Sequence, residues 1–148
     1  MKKNFLLKIL FIYLFFILNA YSAKISNFEE GVDFYNKKNF NEAKIFFERD
    51  IVYNPKNENS YLYLAKIFNY DEKDEEYEIN LNNVLILNPT NDEGIYLLIL
   101  LKIKQSDYKK AKELITKFDQ VCNSFCSKKN EIEEKFNKIK TENEKDNN

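Results

Sequence analysis

The sequence predicts an all-α fold, a short right-handed α-solenoid of three helix-turn-helix units plus a C-terminal capping helix, and three observations carry that reading. Landmarks return at a fixed period: Pro55 recurs as Pro89, 34 positions on, and Phe40 and Ala43 recur as Tyr108 and Ala111 two periods away. Periods of this length mark stacked helix-turn-helix repeats. Only two glycines and two prolines occur in 148 residues, too few turn signals for a hairpin-rich sheet protein. Long runs of Lys, Glu, Leu and Ile, within a chain that is 44% hydrophobic, instead suit amphipathic helices around one modest core.

The chain opens on Lys2-Lys3, then a mostly apolar run from Phe5 to Leu18, then the small-residue exit Ala20-Tyr21-Ser22-Ala23. These are the parts of a secretory leader, so residues 1–23 are expected to be a cleaved signal peptide. Ala20 and Ser22 occupy the two small positions before a cut at Ala23, and the neighbouring cut falls after it. An uncleaved membrane anchor is the alternative. Lys8 interrupts the run, however, and Ile9 to Leu18 supplies ten apolar residues where a span needs about 20. The expected location is periplasmic or secreted, in a Gram-negative-type bacterium. The whole chain carries a formal charge of -1; loss of Lys2, Lys3 and Lys8 takes the remainder to about -4, which argues against nucleic acid as a partner.

Ser26-Asn27-Phe28-Glu29 reads as a capping box that opens the first helix, expected over Phe28 to Lys37. A polar break at Lys38-Asn39 precedes a second helix from Asn41 to Tyr53, stopped by Asn54-Pro55. The next pair is expected at Asn59–Tyr70 and Lys73–Leu87, closed by Asn88-Pro89. Thr90-Asn91-Asp92-Glu93 reads as another capping box, opening a third pair at Asp92–Lys104 and Asp107–Gln120. Unit boundaries accordingly fall at 24–57, 58–91 and 92–125. A capping helix with Ile132, Phe136 and Ile139 on one stripe follows at 126–140, and a polar, disordered tail occupies 141–148.

These units resemble the tetratricopeptide repeat, whose signature is Trp-x2-Leu-Gly-x2-Tyr, then Ala-x3-Phe, then Pro. The first unit supplies Asn27, Glu30, Gly31, Phe34, Ala43, Phe47 and Pro55. Tyr61, Leu64, Ala65, Phe68, Tyr77, Leu81 and Pro89 form the second, and Ile95, Leu98, Ile99, Lys102, Ala111, Ile115 and Asn123 the third. Small residues at Gly31, Ala65, Ala43 and Ala111 are expected where helices cross closely, with Phe34, Phe47, Phe68 and Leu81 filling between. Tyr77 stands at a small position, so splayed helices or a register slip are expected there. Ile95 to Leu101 is apolar all round and must be covered on both sides.

Chemistry is sparse. The chain has no histidine, which excludes histidine-dependent triads, and Gly31 and Gly94 build no phosphate loop. The acidic run Asp71 to Glu76 lacks the glycine turn of a calcium loop and reads as acids facing a helix N-terminus. No enzyme, cofactor or metal is expected. Cys122 and Cys126, four apart, are expected to form a disulfide after export that fixes the angle of the capping helix. The resemblance implies a concave groove lined by the first helix of each unit. This places Tyr35, Asn36, Lys66, Asn69, Tyr70, Tyr96 and Lys104 along the groove, with Phe28, Val32, Leu62, Leu100 and Ile103 beside them. Leu62, Leu100 and Ile103 read equally well as core. Tyrosines with a few cations suit an extended protein or peptide segment. The expected role is an interaction scaffold in envelope assembly or maintenance, the alternative a membrane-tethered structural subunit.

Overall fold

Polar punctuation cuts the chain into helices. In the computed structural model, which describes residues 26–146 and side chains as far as 138, no strand occurs among the described residues. The helices are α1 (Asn27–Asn36), α2 (Phe40–Tyr53), α3 (Glu58–Tyr70), α4 (Asp74–Leu87), α5 (Asp92–Lys104), α6 (Tyr108–Val121) and α7 (Lys129–Asp146), with a 3-10 turn at Cys126–Lys128 before the last. Each helix packs on its neighbour in sequence, and α7 folds back onto α5 and α6. The expected leader at 1–23 and the Ile139 side chain lie outside the described residues.

The repeat is kept to the residue. Helices α2, α4 and α6 begin at 40, 74 and 108 and end at 53, 87 and 121, a constant spacing of 34. The turns inside the three pairs are also copies of one another. The Asn39 N–H donates to the Phe34 carbonyl and the Lys38 N–H to that of Tyr35; Lys73 and Glu72 do the same with Phe68 and Asn69, and Asp107 and Ser106 with Lys102 and Ile103. This double bond pattern closes a helix through a left-handed residue. Lys38, Glu72 and Ser106 take that role with φ of 60°, 58° and 61°, although none is glycine.

Local chemistry explains the ends. Ser26 Oγ accepts from the Glu29 N–H at 3.2 Å while Glu29 Oε2 accepts from the Ser26 N–H at 3.0 Å, the expected capping box. The box expected at Thr90 is corrected. Asn88 Oδ1 already accepts from the Thr90 N–H and hydroxyl, so Asn91 becomes the cap and accepts from the Gly94 N–H at 2.8 Å. Helix α7 runs to Asp146, beyond the expected end at Lys140. Glu and Lys in that stretch are good helix formers.

The core follows the small-residue pattern. Ala43, Ala65 and Ala111 are fully buried, and a Cβ added at Gly31 would lie 2.7 Å from the Phe47 ring. Phe47, Phe68 and Leu81 are core, while Phe34 is half-buried and stacks on Phe46 at 5.2 Å. In the third unit Leu114 and Phe118 fill the interior, with Ile115 at its margin. Tyr77 causes no slip of register. It is buried in place, its hydroxyl facing the Leu97 carbonyl at 3.5 Å.

Helix α5 is buried around most of its circumference, covered by α4, α6 and α7. Even Lys102 is buried, its ammonium pairing with Glu78 and Gln105 so that the charge is not stranded. The first junction between units is polar: buried Asp50 accepts from Ser60 Oγ at 2.5 Å and Asn57 Nδ2 at 2.7 Å. One period later Val84 meets Gly94 in the same places.

Candidate binding face

Helices α1, α3 and α5, the first of each pair, carry every residue expected in the groove. The structure divides them into an open part and a closed part. In the open part, aromatic rings touch in sequence: Phe28 lies 5.9 Å from Tyr63, Tyr63 4.9 Å from Tyr35, Tyr35 5.2 Å from Phe40, and Phe40 4.6 Å from Tyr70. Tyr63 also stacks flat on core Phe47 at 4.9 Å, which ties the strip to the interior. Tyr70 ends the strip with 69% of its surface exposed. Lys66 holds its ammonium 5.1 Å from the Tyr63 ring centre and 2.7 Å from Glu93. Asn36 is exposed at the end of α1.

Tyr63 and Phe40 were not among the residues expected here. The signal for Tyr63 is the alternation Tyr61-Leu62-Tyr63-Leu64, which places aromatics on two sides of α3. Phe40 begins a second helix and carries no groove signal of its own.

At the other end, Tyr96 is only 7% exposed because the cap covers it. Its hydroxyl donates to Glu131 Oε1 at 2.9 Å, Phe125 packs on its ring at 5.7 Å, and the Lys128 ammonium stands 5.6 Å from its centre. Burial raises the Tyr96 hydroxyl above the ordinary phenol range, and the Glu131 carboxylate adds to the shift. Leu62 and Ile103 are core, whereas Phe28, Val32 and Leu100 are half-buried. Lys104 is exposed and pairs with Asp74 at 2.7 Å, and Asn69 is exposed beside it.

The cap is held by a compact set of contacts. Cys122 and Cys126 are disulfide-bonded, and the loop they close turns its N–H groups toward Asp92. Asp92 Oδ2 accepts from Asn123 and Phe125, each at 2.8 Å. Burial pushes the Asp92 carboxyl up, but the N–H groups of Phe125, Asn123 and Ser124 outweigh it and leave the group below its usual value. Lys129 pairs with Asp119 at 2.9 Å, Ile132 is buried, and Phe136 lies edge-on to Tyr108 at 6.2 Å.

No protein-family model and no curated protein matches this chain. Among the described residues no helix is long and apolar enough to cross a membrane.

Proposed function

We propose that the chain is a non-enzymatic, exported scaffold of tetratricopeptide-like units that holds an extended protein or peptide segment along its first helices. The observation that carries this reading is the aromatic strip from Phe28 through Tyr63, Tyr35 and Phe40 to exposed Tyr70. Tyrosine offers a large rigid surface with a hydroxyl at its edge and loses little side-chain entropy when a ligand covers it. Lys66 adds a cation at the centre of the strip. The third unit plays a different part. With Tyr96 engaged by α7, it terminates the stack, as an array that buries its faces by stacking requires.

The Cys122–Cys126 bond suits an oxidising compartment, in keeping with the leader-like residues at 1–23. Envelope assembly or maintenance is the setting we favour. The test is the pair Tyr70→Ala and Lys66→Ala, both on exposed or half-exposed positions. Partner recovery from envelope extracts is expected to fall several-fold with the fold intact. Unchanged recovery would refute the groove. Intact mass of the exported chain decides between this scaffold and a tethered subunit, since a start at Ala23 or Lys24 leaves no tether.

A further inference from the structure

A recess of about 140 Å³ opens between the second and third helix pairs, lined by Asn69, Tyr77, Leu97, Leu100, Leu101 and Lys104. Drug-sized pockets run to roughly 300–1,000 Å³, so this one is too small for a cofactor. An apolar cavity of about 150 Å³ holds one benzene ring. The chain itself shows what belongs in such a place. Thirty-four positions earlier the same six places carry Tyr35, Ala43, Tyr63, Lys66, Ile67 and Tyr70. There the Tyr35 ring packs edge-on to Tyr63 at 4.9 Å and against Phe40 at 5.2 Å. At the second junction Asn69 replaces Tyr35 and Leu97 replaces Tyr63, while Tyr77 replaces Ala43; the two rings of the first junction are gone and one ring, Tyr77, is buried in the wall of the recess they leave.

We infer that the recess is the anchor pocket for one aromatic side chain of the bound peptide, which takes the place that Tyr35 fills from within at the first junction. This rests on the peptide-binding reading above. Leu97, Leu100 and Leu101 supply the apolar wall. The Asn69 amide, exposed at the rim, offers a donor and an acceptor that match a peptide unit. Lys104 stands opposite, paired with Asp74. The pocket adjoins the end of the aromatic strip on α3, where Asn69 precedes Tyr70, so one extended segment passes from Tyr70 to the recess.

The test is selection of a random dodecapeptide phage library on the full exported chain, followed by affinity measurements on the selected peptides. The expected result is one strongly enriched aromatic position. Asn69→Tyr, which places at the recess the side chain that Tyr35 supplies at the first junction, is expected to weaken those peptides about tenfold or more and to remove the aromatic preference. Leu100→Phe narrows the same pocket from its opposite wall and serves if Asn69→Tyr fails to fold. Selected peptides with no aromatic position, or with one that both variants leave unaffected, overturn the anchor pocket while the groove stands. No enrichment, or binding untouched by Tyr70→Ala and Lys66→Ala, overturns the groove itself and the pocket with it.

Discussion

Gly31→Ala tests the closest helix crossing. The added Cβ would stand 2.7, 2.8 and 3.0 Å from three carbons of the Phe47 ring, where ordinary carbon contacts begin near ~3.5 Å. The ring has nowhere to retreat. It is fully buried, stacked on Tyr63 at 4.9 Å and tilted against Phe28 at 5.9 Å. Overpacking of this kind costs about 1–3 kcal/mol, and the helix preference of alanine over glycine returns about 1 kcal/mol. A net loss of up to about 2 kcal/mol is therefore expected, read from the urea midpoint of the circular dichroism signal. In a Phe47→Leu background the clash disappears, so there Gly31→Ala should be neutral or stabilising by up to about 1 kcal/mol. If Gly31→Ala stabilises the otherwise native chain, propensity alone governs the site and the close crossing is wrong.

Three further outcomes are expected. Replacing Lys38, Glu72 or Ser106 by glycine relieves a left-handed residue and should raise stability by roughly 1 kcal/mol each, whereas alanine at the same positions should not. Removing the Cys122–Cys126 bond by serine substitution at both positions should cost about 2 kcal/mol in the chain-entropy model, and hydrogen exchange should rise in α7 before α3. Asp92 has a folded value below its unfolded one. Its contribution is therefore full above the unfolded carboxyl value near ~3.9 and fades as pH falls through the folded value. The stability difference between the native chain and Asp92→Asn should be largest near neutral pH and shrink on acidification; a difference that grows in acid contradicts the assignment.

Much of the fold is legible in the sequence because the signals are local. Ser26 with Glu29, the stops at Pro55 and Pro89, and the small residues at 31, 43, 65 and 111 each act within a turn or at one crossing. The turns inside the pairs left weaker traces, since Lys38, Glu72 and Ser106 stand where glycine would have announced a left-handed residue. Tyr77 looked disruptive from its size alone, yet it packs without moving the register, buried with its hydroxyl at the Leu97 carbonyl. The expected groove residues separate for a long-range reason. Tyr35 and Tyr70 lie on the strip, but Tyr96 meets Phe125 and Glu131, 29 and 35 positions away, and no local pattern encodes that contact. Phe40 was hidden likewise, because its ring contacts depend on how the helices pack, whereas Tyr63 left a trace in the Tyr61-Leu62-Tyr63-Leu64 alternation.

Apolar side chains are exposed both at the end of the aromatic strip and elsewhere on the array, and binding belongs to the strip. Tyr70 ends the aromatic strip, whereas Val52 and Ile86, one period apart on α2 and α4, are 75% and 76% exposed elsewhere. The most direct measurement places a photo-crosslinking residue at position 70, 52 or 86 of the exported chain in intact cells and identifies the products by mass. A discrete crosslinked partner is expected from position 70 and none from 52 or 86. Crosslinks from positions 52 and 86 with none from 70 would contradict binding along the first helices.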